Sequence, residues 1–170
     1  MDITQLILDD HQEQRRLFAI LEEIPRQDTD KLTAVWKRLR ALLDLHAEAE
    51  ERHFYPTLVQ LGRGGGGSSP DDETEDAIDD HNEIRDAAAK VEQQEVGSDA
   101  WYEAVAECNK ANSDHMGEEE REGLTDFRQH ISLEIRHDLG VRFAAFEAEH
   151  VTGVEPVDKD PQTYIDDQKG

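Results

Sequence analysis

Cysteine is almost absent from this chain of 170 residues, which contains Cys108 alone. One thiol excludes an internal disulfide, a CxxC pair and a thiolate metal cluster, so a metal site here would use imidazole and oxygen ligands. Basic residues are scarce too, because 18 lysines and arginines stand against 41 acids and give a formal charge of -23. This charge repels nucleic-acid phosphates and anionic lipids, so we expect neither nucleic acid nor a membrane as a partner.

Long apolar runs and strand signals are missing as well. No segment approaches the ~20 apolar residues of a membrane span. The first residues lack the basic and apolar regions of a signal peptide, so the cytoplasm is the expected location. The sequence has no GxSxG motif, and no strand precedes its glycine run at residues 62–67. Both absences argue against a nucleophile elbow or a phosphate-binding loop.

Apolar residues recur every three or four positions over long windows, which predicts an all-α protein. Predicted helices cover about residues 2–24, 72–95 and 127–149; another begins near Thr29 and is interrupted at Pro56, and another begins after the N-cap Ser98. The glycine-rich segment 62–70 is a linker between two halves. We therefore predict an antiparallel up-down four-helix bundle with an additional C-terminal helix over residues 1–150, and an irregular tail over residues 151–170.

Each half of the chain carries the same two motifs in the same order. DDHxExR occurs as DDHQEQR from Asp9 and as DDHNEIR from Asp79, and HxxxEER occurs as HAEAEER from His46 and as HMGEEER from His115. With 8 histidines and 41 acids, chance supplies about two HxxxE pairs, and a third pair follows His130. Chance does not supply the ordered repeat, in which every histidine lies on an apolar helical stripe.

The repeat predicts that four imidazoles and two carboxylates meet inside the bundle. A histidine and a glutamate four residues apart lie on one helix face, and counting along the helices from the turns near Gln27 and Gly97 brings all four histidines to one level. Burying these polar groups removes their hydration, and a pair of metal ions would compensate for this loss. Nitrogen and oxygen ligands suit iron, zinc or manganese. A hydrogen-bonded polar core without metal is the alternative.

The order H…HxxxE…H…HxxxE on four helices resembles the hemerythrin-like, or HHE cation-binding, domains. The resemblance covers about residues 2–128 and includes EERHFYP after the first HxxxE, and residues 127–150 look like the longer actinobacterial members. It implies two non-haem iron ions with an oxo or hydroxo bridge (Fe-O-Fe). The implied metal ligands are four terminal histidines and two bridging glutamates: His11, His46, His81, His115, Glu50 and Glu119.

One departure from the family pattern bears on the coordination number. Oxygen-carrying hemerythrins are similar but have a further histidine four residues after the one on the third helix, and here that position is Arg85, which cannot ligate a metal. Each iron then has five ligands. Either both ions keep an open position, or Tyr55, a phenol next to the predicted kink at Pro56, fills one of them.

The remaining polar residues of the motifs are interpreted as ion pairs beside the site, some of which orient the histidines. These residues are Glu51, Glu120, Arg15, Arg52, Arg85 and Arg121. Cys108, Trp36 and Trp101 are interpreted as core. The other histidines have no counterpart in the repeat and are expected at the surface or in packing: His53, His130, His137 and His150.

Three functions are compatible with such a site. The first is catalase-like disproportionation of hydrogen peroxide, which the resemblance suggests and which an exchangeable position on each ion allows. The second is binding or sensing of dioxygen or nitric oxide, and the third is iron storage, buffering or a structural metal. The missing histidine weakens the oxygen-carrier hypothesis, so peroxide chemistry is favoured. The oligomeric state, the reductant and the identity of the metal stay open.

Overall fold

A computed structural model describes residues 1–64 and 67–169, so Gly65 and Gly66 of the predicted linker lie outside the described residues. The described residues form helices and no strand, as the periodicity predicts. The helices are α1 (Ile3–Glu23), α2 (Thr29–His53), α3 (Tyr55–Leu61), α4 (Pro70–Glu92), α5 (Asp99–Arg121), α6 (Gly123–His130), α7 (Leu133–Glu149) and α8 (Pro161–Lys169). None of them is long and apolar enough to cross a membrane.

Two helical hairpins form the bundle. Short connections join α1 to α2 and α4 to α5, so the helices of each pair run antiparallel, and the hairpins pack through α2 with α4 and α1 with α5. Side-chain caps define where the helices begin. Asp2 caps α1, Ser69 forms a capping box with Asp72 on α4, and the predicted N-cap Ser98 accepts a hydrogen bond from the backbone N–H of Trp101.

The turns of the two hairpins touch each other, which sets the hairpins at the same height. Gly97 has a φ of +85°, and a Cβ at this position would lie 2.5 Å from the carbonyl oxygen of Arg26. The Arg26 guanidinium lies 4.5 Å from the ring centroid of Tyr102 and pairs with Asp99. Because both turns lie at one end of the bundle, residues equally far from them lie at one level.

The interior consists of two apolar clusters with a polar layer between them. The cluster near the turns includes Trp36, Trp101 and Cys108, in agreement with the core prediction for these residues. The cluster at the other end includes Phe54 and Phe143. All of the repeated histidines are buried between these two clusters.

The interruption predicted near Pro56 is present. Helix α2 ends at His53 and α3 begins at Tyr55, with the proline in its first turn. Proline has no N–H to donate to the preceding turn, so it is tolerated at a helix start but not inside a helix. The second half has a break at the corresponding place, after Arg121, where α5 gives way to α6.

The C-terminal third differs from the prediction in two respects. The single helix expected over residues 127–149 is divided, because Ser132 caps a new helix, α7, by accepting the N–H of Ile135. The tail expected to be irregular contains α8, which begins at Pro161 and buries Tyr164 and Ile165. Proline at a first helical position favours a helix start. Helix α7 packs across α1 and α2, and α8 packs on α3 and α4.

Candidate metal centre

The four repeated histidines meet in the polar layer with their Nε2 atoms turned inward. Nε2 of His46 lies 3.0 Å from Oε1 of Glu50, and Nε2 of His81 lies 3.3 Å from Oε2 of the same carboxylate. On the opposite side, Nε2 of His11 lies 3.3 Å from Oε2 of Glu119. Nε2 of His115 lies 3.1 Å from Nε2 of His81.

Two sets of ligand atoms are close enough together to hold one cation each. We call His11, His46 and Glu50 the His11 group, and Glu50, His81 and His115 the His81 group. Within each group, the three ligand atoms lie within 4.8 Å of one another. Glu50 belongs to both groups, so its two oxygens can serve two ions. Glu119 adjoins the His11 group through His11.

The outward nitrogen of every imidazole contacts an acid from the repeated motifs. Nδ1 of His46 and of His115 face the aspartates that directly precede the other two histidines, Asp10 at 3.0 Å and Asp80 at 3.3 Å. A Nδ1–H that donates to a carboxylate leaves the lone pair of Nε2 free, which is the usual arrangement of metal-binding histidines.

The remaining two histidines contact the second glutamate of each EER. Nδ1 of His11 lies 2.9 Å from Oε1 of Glu120, and Nδ1 of His81 lies 2.8 Å from Oε1 of Glu51. The arginines of DDHxExR hold these glutamates: Arg15 donates to Glu120 at 2.8 Å and Arg85 donates to Glu51 at 2.7 Å. Each repeated motif therefore supplies both a candidate ligand and a partner for another ligand.

Burial and neighbouring charges act in opposite directions on the pKa values of the ionisable groups in the centre. Burial lowers the pKa of His46, but Glu50 and Asp10 outweigh burial and hold it well above its usual value. Burial likewise opposes protonation of His81, while Glu50 and Glu51 raise its pKa to about 9. Burial raises the pKa of Glu51, but His81, Arg85 and Lys159 lower it to about 2. These raised pKa values favour protonated His46 and His81 beside the buried Glu50 and Glu51.

Buried atoms without hydrogen bonds test whether a cation fits this geometry. Nε2 of His11 and of His46, both oxygens of Glu50 and Oε2 of Glu119 are buried, and within the described part of the chain none has a correctly directed hydrogen bond. Buried polar atoms are rarely left in this state. All of them face the space between the two hairpins, and all are nitrogen or oxygen donors that suit divalent cations. The donor set therefore fits metal ions.

Tyr55 lies inside the centre because of the break in the chain before it. An uninterrupted α2 would turn this side chain away from His46, but α2 ends at His53, and the Tyr55 hydroxyl donates to Oε1 of Glu119 at 2.6 Å. Burial, together with Glu119 and Glu50, raises the pKa of Tyr55 well above its usual value, which favours the neutral phenol. The corresponding residue of the second half is Leu124, which is buried but has no hydroxyl to donate.

A narrow cleft between α3, α4 and α5 reaches His115 and Glu119 from the surface. Its volume is about 30 Å³, enough for one or two water-sized molecules. Its lining includes the exposed acids Asp76 and Glu118 and the buried residues Tyr55 and Ala77. The acids near this cleft are Glu73, Asp76, Asp80, Glu118 and Glu122. Burial, Asp80 and other acids raise the pKa of Asp76, as expected where negative charges lie close together.

The third HxxxE pair of the sequence is interrupted in the structure. His130 and Glu134, the third HxxxE pair, lie on different helices because the chain breaks at Ile131 and Ser132. Sequence reasoning missed the roles of Asp10 and Asp80, although their position in DDHxExR was a usable signal. It also missed Lys159, which contacts Glu51 from outside the repeat and for which the sequence offers no signal.

A comparison with protein families finds a match over most of the chain. The model of the hemerythrin HHE cation-binding domain matches residues 2–127, which include both copies of the repeat. Comparisons with curated proteins and with solved structures give no match. The matched region covers well over half of the chain and contains both candidate cation groups. This protein therefore belongs to the hemerythrin HHE cation-binding family.

Proposed function

We propose that this protein binds two iron ions and disproportionates hydrogen peroxide. The observation that carries the proposal is the orientation of the four imidazoles: every Nδ1 contacts a carboxylate and every Nε2 faces the interior. In this proposal, His11 and His46 would hold one ion, His81 and His115 would hold the other, and Glu50 would be shared by both. Glu119, which lies beside His11, would supply a second carboxylate to the pair.

The proposed reaction needs two electrons to pass between two peroxide molecules. One molecule loses two electrons and two protons and leaves as dioxygen, and the other gains them, breaks its O–O bond and leaves as two molecules of water. A bound pair of iron ions would supply this two-electron exchange and Lewis acidity. The small volume of the cleft favours peroxide, dioxygen or nitric oxide over an organic substrate, since it holds one or two water-sized molecules.

The protein's own residues would orient ligands and limit access. Asp10, Asp80, Glu51 and Glu120 fix the histidine rings through Nδ1, which keeps each Nε2 directed at the centre. We propose that Tyr55 acts as a neutral hydrogen-bond donor to Glu119 and not as a ligand, because its hydroxyl already binds that carboxylate. Arg85 occupies the position where oxygen-carrying hemerythrins have a further histidine, so an open coordination position is expected. In this proposal, that position would be available to small oxidants.

The test is metal analysis of protein produced with added iron, followed by oxygen evolution from peroxide. Two irons per chain, near-ultraviolet absorption that zinc lacks, and turnover above that of free iron are the expected results. A protein with trace metal only would overturn the site. Two bound irons without turnover, together with a stable spectrum after reduction and exposure to dioxygen or nitric oxide, would favour binding or sensing.

The proposed setting is the cytoplasm, without nucleic-acid or membrane partners.

A further inference from the structure

The repeat gives the His11 group and the His81 group equivalent acidic partners, Glu120 and Glu51. The two glutamates differ because Glu51 has an additional contact. Both Glu51 and Glu120 accept hydrogen bonds at Oε1 from a histidine and from an arginine. Oε2 of Glu51 also forms an ion pair with Lys159, whereas no lysine contacts Glu120 among the described residues. Lys159 lies beyond the region that matches the family, which ends at residue 127.

The chain around Lys159 is attached to the centre at several points. Asn82, next to His81, donates to the carbonyl oxygen of Lys159 at 2.8 Å and accepts its N–H at 3.1 Å. The Lys159 ammonium also contacts Glu48 at 2.8 Å, and the Tyr164 hydroxyl donates to the carbonyl oxygen of Glu51 at 2.6 Å. Both the side chain and the backbone of Glu51 are therefore held from the C-terminal side.

The two matching glutamates differ in exposure. The Glu51 side chain is 0% exposed and that of its partner Arg85 is 6% exposed, while Glu120 is 30% exposed and its partner Arg15 is 42% exposed. Exposed ion pairs contribute little because water screens them and the side chains lose conformational freedom. The partner of His81 is therefore fixed more firmly than the partner of His11.

We propose that Lys159 is a positioning residue that makes the two metal sites unequal, so that the His81 group binds its ion more tightly and fills first. This inference rests on the proposed function, because it requires two bound ions. Lys159 restricts the Glu51 side chain, and Glu51 restricts the His81 ring. Because the ring is already held in place, less conformational entropy is lost when an ion binds. The positive charge of Lys159 acts in the opposite direction by repelling a cation. The direction of change on removal of the lysine distinguishes the two effects.

The experiment is a titration of the full-length metal-free protein with cobalt(II), followed by visible absorption. The wild type should bind two ions with separable affinities. In Lys159→Met, the affinity of the tighter site should fall by about tenfold, so the two sites become similar, and Lys159→Arg should restore the difference. Lys169→Met is the matched control, because Lys169 lies in the same C-terminal segment but pairs with Asp71 at the surface.

A second measurement separates positioning from general loosening. Paramagnetically shifted proton NMR of the cobalt protein should show the Nδ1–H signal of each ligated histidine, and in Lys159→Met one of the four should exchange faster with water. Asn82→Ala, which detaches the backbone at residue 159 while keeping the lysine, should have the same effect. Failure to bind two cobalt ions would overturn the proposed function. Two ions with unchanged affinities in Lys159→Met, or tighter binding, would overturn the role of Lys159 alone.

Discussion

Nδ1 of His46 lies 3.0 Å from Oδ2 of Asp10, the residue directly before His11 in the chain. Each Asp-His pair of DDHxExR thus gives one ring to the centre and one carboxylate to a ring on the neighbouring helix. Asp10→Asn removes the charge but keeps the shape, and we expect metal affinity to fall about 10–100-fold. Equilibrium metal titration measures this. Asp9→Asn is the control, since Asp9 is exposed and hydrogen-bonds Gln5; equal losses in both variants would contradict the assigned role.

Glu50 is the residue shared by both candidate groups, so its loss should affect both ions. In Glu50→Gln we expect the affinity for each ion to fall. The loss should exceed the about 10–100-fold that is typical when a residue outside the coordination sphere is replaced. Isothermal titration with iron(II) or zinc under anaerobic conditions reports both sites. Glu134→Gln removes the acid of the third HxxxE pair and should leave both ions in place. Loss of a single ion in Glu50→Gln would show that this carboxylate does not bridge.

Tyr55 offers a direct spectroscopic test. If the hydroxyl donates to Glu119, the iron-loaded protein has no visible charge-transfer band from a phenolate, and Tyr55→Phe changes its visible spectrum little. The variant should lose about 1.5–3 kcal/mol of stability through the broken hydrogen bond to a charged acceptor, measured by urea unfolding. A visible band that disappears in Tyr55→Phe would identify Tyr55 as a ligand instead.

Access through the narrow cleft can be blocked from inside. Ala77 is buried in its lining, and Ala77→Leu should reduce peroxide turnover several-fold while two irons remain bound. Overpacking also lowers stability by about 1–3 kcal/mol. Ala87→Leu is therefore the matched control: it crowds the cluster near the turns, away from the cleft. If turnover in Ala77→Leu equals that in the control Ala87→Leu, oxidants enter by another route.

Cys108 gives a prediction that is independent of metal. Burial raises the pKa of its thiol to about 12, above the value of about 8.5 expected in the unfolded chain. The unfolded chain therefore ionises first as pH rises, and the stability contributed by the protonated thiol is lost from about pH 8.5 upwards. Between pH 8 and 10, the wild type should lose about 2 kcal/mol more than Cys108→Ala. Urea unfolding at both pH values measures the difference, and parallel losses would contradict it.

The sequence was sufficient to predict the bundle and the meeting of its six His and Glu side chains at one level, because helical periodicity and a duplicated motif are local signals. It was insufficient for contacts that depend on breaks in the helices. It named Tyr55 beside the break at Pro56, but not the hydrogen bond from its hydroxyl to Glu119. It also gave no sign that Ser132 starts a new helix, which places His130 and Glu134 on different helices.

The contact between Lys159 and Glu51 joins residues 108 positions apart. Neither residue carries a pattern that selects the other among the many charges of this chain. The sequence did not predict helix α8. Nine residues give too few turns for a clear apolar stripe, and its buried residues Tyr164 and Ile165 are adjacent, not three or four positions apart. Such contacts follow from how α8 packs on α3 and α4, which local sequence does not encode.

The polar layer that separates the two apolar clusters has a consequence for cooperativity. Each cluster is continuous within itself, so in the metal-free protein the two ends of the bundle can open as partly independent units. Ions bound across the layer would join all four long helices and make the ends unfold together. Amide hydrogen exchange should then show two levels of protection without metal and a single, higher level with it.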